Sequence, residues 1–307
     1  MSADYELIIV GGGPAGLTAG IYAARARLRT LLIDRGVPGG QIVNAELVEN
    51  YPGFPEGISG AELGQLMERQ AVKYGLETAM ADVDGVVVIE DGMKVVETGK
   101  AHHAARAVIL AGGSEYSKLG VPGEEELRGR GVSYCATCDG AFFRDQVVAV
   151  VGGGDVALND AIFLTRFASK VIVIHRRDEL RATKVLQERA FAEPRIDFRW
   201  NSIVTSIEGD SQVQEVKLRN VKTGEESMLE VSGVFIAVGF SPNTGYLEQL
   251  LSLAPGGFVK VNDQMETEVP GVYAAGDIRA GSPRQVSSAV GDGAIAAIAA
   301  ERYLSST

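Results

Sequence analysis

The chain has only two cysteines in 307 residues, Cys135 and Cys138, separated by Ala136 and Thr137. A framework of structural disulfides, of the kind small secreted domains need, is therefore excluded. Histidine is nearly as scarce, with His102, His103 and His175 the only three. A tetrahedral zinc site would have to pair the two cysteines with two of these, at poor spacing. Positive charge is in deficit, and the net charge of −11 argues against a broad nucleic-acid surface while leaving room for a local basic pocket. Long apolar runs are missing too. The run at 7–10 is short and the alanine-rich stretch at 285–300 is broken by Asp292, so no transmembrane segment is expected. No export signal is read at the start, which makes a reducing cytoplasm the expected compartment. The remaining composition, 46% hydrophobic and 22% charged, is that of a globular protein of about two domains. Its 38 glycines predict many tight turns and close backbone approaches.

Asp139 directly follows the Cys135-Ala-Thr-Cys138 motif. A dithiol at this spacing closes into a small, easily reduced disulfide, and an adjacent helix start can hold one thiolate ready at neutral pH. Asp139 puts a carboxyl group where a proton must move whenever the disulfide opens. Half of a zinc site and a static disulfide are the competing readings. Redox use is favoured because nucleotide-binding patterns flank the motif.

The first pattern begins with the apolar strand Tyr5-Glu-Leu-Ile-Ile-Val10, then Gly11-Gly-Gly-Pro-Ala-Gly16, a helical stretch at 17–26, and a second strand at 30–33 ending in Asp34. Gly11 makes the turn, Gly13 lets the backbone approach a pyrophosphate, and Gly16 lets helix and strand pack closely. Asp34 is placed to accept hydrogen bonds from an adenosine ribose. The second copy has a strand at 146–151, Gly152-Gly-Gly-Asp-Val-Ala157, a helix at 158–167 and a strand at 170–174. The same offset carries Asp34 onto His175, followed by Arg176 and Arg177. An acid there would repel a ribose 2′-phosphate and a basic cluster attracts it, so the second site is expected to prefer NADP, with Arg181 a third contact. A solvated helix face would also explain these arginines, but their place at the strand end favours the phosphate.

Each nucleotide unit is followed by a short β-meander, one within 86–109 turning at Asp91-Gly92, the other within 216–238 turning at Thr223-Gly224. The expected class is α/β, with two Rossmann-like dinucleotide-binding domains, the second inserted into the first. The boundaries are 1–114, 115–244 and 245–307, and the dithiol falls in the inserted domain. The last segment starts no third unit but contains Gly271-Val-Tyr-Ala-Ala-Gly-Asp277 and an expected helix at 285–303.

Together with Gly39-Gly40-Gln41, Glu49-Asn50-Tyr51-Pro52-Gly53, Gly276-Asp277 and Arg284-Gln285, these motifs closely resemble the low-molecular-weight thioredoxin reductases over essentially the whole chain. The resemblance belongs within the two-domain pyridine nucleotide-disulfide oxidoreductases. It implies FAD in the first domain, held by Gly11, Gly13, Pro14, Ala15, Gly16, Asp34 and Arg35, with Gly276 and Asp277 at its phosphate and ribityl region. Gly40, Gln41, Asn50, Arg284, Gln285 and Val286 would surround the isoalloxazine ring, with the positive end of the last helix beside it. NADPH would lie on Gly152, Gly154, Asp155, Val156, Ala157, His175, Arg176, Arg177 and Arg181. The implied reaction passes electrons from NADPH through FAD to the Cys135–Cys138 disulfide and on to thioredoxin or a similar small protein. Cys138 would be the flavin-proximal thiol, Cys135 the interchange thiol and Asp139 the proton donor. Since nicotinamide and dithiol both need one flavin, the resemblance implies rotation about linkers at 114–118 and 240–244. It also implies a homodimer.

Two positions depart from the usual pattern. Val156-Ala157-Leu158-Asn159-Asp160 replaces a Ser-Ala sequence with paired glutamates, and Leu110-Ala-Gly-Gly-Ser114 replaces Ala-Thr-Gly-Ala. A relative taking electrons from ferredoxin is therefore the alternative. A peroxide-detoxifying reductase would carry an extra dithiol domain, a ferredoxin–NADP reductase would lack the dithiol, and a non-catalytic nucleotide sensor would have no need of Cys-x-x-Cys-Asp.

Overall fold

Buried apolar strands followed at once by glycine turns set the architecture. The structure, a computed structural model, describes residues 3–45, 47–89, 91–99 and 101–306. It divides into two units, Met1–Glu115 with Ser241–Thr307, and Tyr116–Phe240. In chain order the first contains β1 (Tyr5–Val10), α1 (Pro14–Arg25), β2 (Thr30–Asp34), α2 (Gly60–Lys73), β3 (Glu77–Met80), β4 (Val83–Val88), β5 (Lys94–Thr98) and β6 (Ala101–Leu110). The chain leaves this unit through β7 (Ser114–Tyr116).

The second unit contains β8 (Val132–Ser133), α3 (Ala136–Asp139), β9 (Val147–Val151), α4 (Asp155–Leu164), β10 (Lys170–Ile174), α5 (Lys184–Ala192) and β11 (Ile196–Arg199). There follow β12 (Ser202–Glu208), β13 (Glu215–Asn220), β14 (Glu226–Glu230) and β15 (Gly233–Ile236). The chain returns through β16 (Phe240–Pro242), the partner of β7, to β17 (Val272–Ala274) and α6 (Val286–Ser306).

The first sheet runs β3-β2-β1-β6-β5-β4, with β17 also paired to β6. β1 is flanked by parallel neighbours, and its last four residues are buried, as the near-continuous apolar run Leu-Ile-Ile-Val requires. The meander of this unit is not a separate sheet. β6 is ten residues long, so its first half pairs with β5 and its second half with β1 and β17. The second unit has a parallel sheet β11-β10-β9-β15-β8 and a detached antiparallel meander β12-β13-β14.

The helices differ in how they begin. α2 is capped by its own sequence: Ser59 Oγ accepts from the Glu62 N–H at 3.2 Å, and Glu62 sits in the first turn. α1 starts with Pro14 after Gly13 and has neither a side-chain cap nor an acid in its first turn. α4 likewise follows a glycine, Gly154, with no side-chain cap. The uncapped starts of α1 and α4 belong to the glycine turns; α3 and α5 also begin without a side-chain cap, at Cys135 and Thr183. Among the described residues no helix is long and apolar enough to cross a membrane.

Candidate redox and nucleotide sites

Cys135 and Cys138 form a disulfide, with Cα atoms 5.3 Å apart. Cys135 occupies the N-cap of α3, and its carbonyl accepts from the N–H groups of Cys138 (3.2 Å) and Asp139 (3.1 Å). The expected helix start is present, but α3 is a single turn of four residues. So short a helix sums too few peptide dipoles to hold a thiolate by itself, so nearby hydrogen bonds matter more. Cys135 Sγ lies 3.4 Å from Thr137 Oγ1. Ser133 Oγ donates to Asp139 Oδ2 at 2.6 Å and accepts from the Cys135 N–H at 3.1 Å. Burial pushes the Asp139 carboxyl above its ordinary range, and the Ser133 hydrogen bond opposes that shift. A half-buried acid biased toward its protonated form therefore sits on the disulfide turn.

In the first unit the residues expected at a flavin nucleotide come together around the start of α1. Gly11 has φ +109, and a Cβ there would lie 2.3 Å from the Ala111 carbonyl oxygen; a Cβ on Gly16 would lie 1.8 Å from the Gly11 oxygen. These contacts force the chain tightly from β1 into α1. The Gly39 N–H donates to the Gly12 carbonyl at 2.8 Å, and Gly40, at φ +59, backs onto Gly13. The returning segment closes the ring: Gly276, at φ +78, packs on Ala15, and α6 crosses α1 with Gly293 against the Ala15 carbonyl. Asn50 Nδ2 donates to Gln285 Oε1 at 3.1 Å, just before α6 begins at Val286. Arg284 is held at φ +57. Asp277 accepts from Ser282 Oγ at 2.9 Å, and burial raises its carboxyl above the ordinary range. Asp34 accepts from the Gly12 and Gly36 N–H groups, which fixes its carboxylate beside the turn with lone pairs to spare. Arg35 pairs with Glu115. Gln41 is exposed in the 3-10 turn Gly40–Asn44.

In the second unit the loop after β10 wraps the other glycine turn. The Arg181 N–H donates to the Gly153 carbonyl at 2.8 Å and the Thr183 N–H to Asp155 Oδ1 at 2.7 Å. A Cβ on Gly153 would fall 2.3 Å from the His175 ring. His175 is buried, and desolvation pushes its pKa down; a hydrogen bond to the Glu179 backbone opposes this, and Arg181, Arg177 and Arg176 reinforce it. It is therefore a neutral imidazole whose buried Nε2 has no hydrogen-bond partner. Arg176, Arg177 and Arg181 are exposed, and their guanidinium groups have no acid or hydrogen-bond partner among the described residues. Three unpartnered cations and an orphaned imidazole nitrogen beside an uncapped helix start suit a phosphorylated ribose. Val156 is exposed at that helix start. Asp160, on the same helix, is pushed up to about 7 by burial.

Three contributors escaped sequence reasoning. Ser133 gave no signal, since a serine two residues before a cysteine is unremarkable as sequence. Arg279 and Asp292 form a bidentate pair, Nε to Oδ2 at 2.6 Å and Nη2 to Oδ1 at 3.0 Å, and Asp292 also accepts from the Gly276 N–H at 3.0 Å. A lone acid in an alanine-rich helix was the available signal, because a buried carboxylate demands a partner.

The model for "Pyridine nucleotide-disulphide oxidoreductase" matches residues 5–293. The chain is 52% identical over 303 residues to the thioredoxin reductase of Bacillus subtilis (strain 168), covering 98% of this chain and 95% of that protein. It is 48% identical over 306 residues to the thioredoxin reductase of Streptomyces coelicolor, covering 99% of this chain and 95% of that one. The crystal structure of thioredoxin reductase from Streptococcus pyogenes superposes with a TM-score of 0.95 at 48% identity, covering 99% of each chain. The motifs, the fold and these likenesses agree: the chain belongs to the pyridine nucleotide-disulphide oxidoreductase family.

Proposed function

We propose that this chain is an NADPH-dependent thioredoxin-disulfide reductase (EC 1.8.1.9). The observation that carries the reading is the Cys135–Cys138 disulfide beside a half-buried Asp139, in a unit that also carries a glycine turn and three arginines without partners among the described residues. When bound, FAD and NADPH supply the electron pair that opens this disulfide. The residues of the first unit fit FAD: Gly11, Gly13, Pro14, Ala15 and Gly16 give an uncapped helix start for the pyrophosphate, and Asp34 gives acceptors for a ribose. Gly276 and Asp277 close on that start, while Gly40, Gln41, Asn50, Arg284, Gln285 and Val286 are offered to the ring; Arg35, already paired with Glu115, has the weakest claim. The second unit fits NADPH through Gly152, Gly154, Asp155, Val156, Ala157, His175, Arg176, Arg177 and Arg181.

The protein residues then handle sulfur and protons. Cys135 attacks the disulfide of thioredoxin or a thioredoxin-like small protein, and Cys138 closes back on Cys135. The dithiol loses two electrons, the partner's disulfide gains them, and the two thiol protons finish on the partner, with Asp139 holding one in transit. Because the nucleotide and dithiol features share one unit while the flavin features lie in the other, the chain crossings at 114–118 and 240–244 act as the flexing points. Large apolar side chains exposed on α1, α2 and α6, including Tyr22, Leu66, Ile295 and Ile298, support a homodimer. The absence of scattered cysteines supports a cytoplasmic site of action. The net charge of −11 argues against a nucleic-acid partner, and among the described residues no helix is long and apolar enough to cross a membrane.

Val156, Asn159 and Asp160 favour one alternative, electron delivery by a donor such as ferredoxin. Steady-state reduction of thioredoxin with NADPH, NADH and reduced ferredoxin tests both. NADPH should be preferred by a wide margin, and Cys138→Ser should abolish turnover. A Cys138→Ser variant that reduces thioredoxin normally would overturn the assigned thiol roles, and a preference for ferredoxin would overturn the donor.

A further inference from the structure

Asp139 is half-buried and changes protonation in the proposed exchange, so a buried neighbour hydrogen-bonded to it is left unsatisfied in one of the two states unless that neighbour can adapt. Ser133 is such a neighbour. It is 5% exposed, at the end of the two-residue strand β8, where it stands opposite Phe235 of β15. Its oxygen accepts from the Cys135 N–H at 3.1 Å. Its single proton has two acceptors within reach, Asp139 Oδ2 at 2.6 Å and the Cys135 carbonyl at 3.4 Å.

A hydroxyl is both donor and acceptor, and its proton rotates. With Asp139 ionised, the Ser133 hydroxyl donates to the carboxylate. With Asp139 protonated, the acid donates to Ser133 Oγ and the serine proton swings to the Cys135 carbonyl. Both states are satisfied without movement of the backbone, and the Cys135 N–H keeps its acceptor throughout. An alanine at 133 would remove the carboxylate's donor and orphan the Cys135 N–H.

We propose that Ser133 is a positioning residue for proton transfer at the dithiol, its hydroxyl turning between the Asp139 carboxylate and the Cys135 carbonyl as Asp139 loses and regains a proton. The proposal rests on the reading of Asp139 as the proton carrier. Ser133 itself gains and loses nothing overall. The proton released as the Cys138 thiol closes on Cys135 goes to Asp139 and then to the departing thiolate of the partner.

Other groups could add their own pH dependence. α4, packed against α3, brings Asp155 and Asp160, and the latter is held high by burial. The turn Gly140–Phe143, β8 and β15 bring no titratable side chain. Tyr134 precedes Cys135 and donates to Glu124 Oε1 at 2.7 Å, and burial raises its phenol. The two thiols titrate once the disulfide is open.

The test is the pH profile of disulfide exchange between the reduced holoenzyme and oxidised thioredoxin, followed by rapid mixing in an Asp160→Asn background. Ser133→Ala takes a charge-assisted bond from the ionised carboxylate and a weaker neutral one from the protonated acid, so the Asp139 limb should move up by about 1 pH unit, the difference between the two. KM for thioredoxin should be unchanged. Ser133→Thr and Ser133→Val have one shape and differ only in the hydroxyl, so they keep the comparison valid should the alanine variant misfold. The threonine limb should stay near wild type and the valine limb should move up. An unmoved limb in both Ser133→Ala and Ser133→Val, or equal movement in Thr and Val, overturns the proposal. Asp139→Asn separates it from the reading beneath it. If that variant keeps the wild-type profile, the role of Asp139 fails; if it alone removes the limb while the serine variants leave it in place, only the role of Ser133 fails.

Discussion

Replacing Asp292 by alanine should damage the first unit more than any surface change, and the reason is local. Its carboxylate receives two hydrogen bonds from Arg279, at 2.6 and 3.0 Å, and one from the Gly276 N–H at 3.0 Å, with side-chain exposures of 7% for Asp292 and 17% for Arg279. Alanine removes one charge and leaves the other desolvated without its partner, a change that costs about 3–5 kcal/mol. That is a large share of the roughly 5–15 kcal/mol by which a domain is stable. At about 2–4 °C per kcal/mol for a domain of this size, the melting temperature should fall by about 10 °C. The loss should be accompanied by weaker FAD retention, because Asp292 anchors the amide of Gly276, where the chain meets Ala15. Asp292→Asn keeps an acceptor for that amide and should lose less. The decisive variant is Arg279→Met with Asp292→Ala, which removes both charges and should recover much of the loss. Thermal unfolding followed by circular dichroism, with flavin absorbance after gel filtration, reads all three. A single alanine variant that melts within about 2 °C of wild type and keeps its flavin would refute the reasoning, as would a double variant worse than the single.

Nucleotide choice follows from the arginines. Arg176→Ala with Arg181→Ala should raise KM for NADPH by about 10- to 100-fold after allowance for their exposure, with little effect on NADH, and steady-state kinetics with both nucleotides checks this. Asp160 predicts a stability effect of defined sign. Its folded-state pKa of about 7 lies above the unfolded value, so the folded state binds the extra proton and stability falls as pH rises from about 4 to about 7. Asp160→Asn should therefore stabilise by about 1–2 kcal/mol at pH 8 and hardly at all at pH 4, as denaturant melts at the two values would show. Glycine 153 supports the His175 ring so closely that Gly153→Ala must displace it, and NADPH binding measured by calorimetry should weaken about tenfold or more.

The two nucleotide units and the dithiol were legible because each depends on local spacing. Buried parallel strands such as Leu7–Val10 must be apolar throughout, glycine must stand where a Cβ would strike a carbonyl, and two cysteines three apart can reach one another. The peripheral strands were not legible. β3 (Glu-Thr-Ala-Met) and β11 (Ile-Asp-Phe-Arg) carry mixed residues at sheet edges, where pairing comes from neighbours distant in sequence. The continuity of the first meander depends on the length of β6, which shows only when both of its partners are known. Ser133 and the Arg279–Asp292 pair are defined by contacts across loops. His175 could be placed by its offset from Asp34, but its burial, and hence its neutrality, follows from the packing of Gly153 against it.

Anaerobic titration of the FAD-loaded protein with NADPH, followed by oxidised thioredoxin, tests the central claim most directly. The account predicts uptake of two electron pairs per chain, one by the flavin and one by Cys135–Cys138, and return of the oxidised spectrum as thioredoxin is reduced. A protein that cannot be loaded with FAD, or one whose flavin is reduced while the Cys135–Cys138 disulfide stays closed, would contradict it.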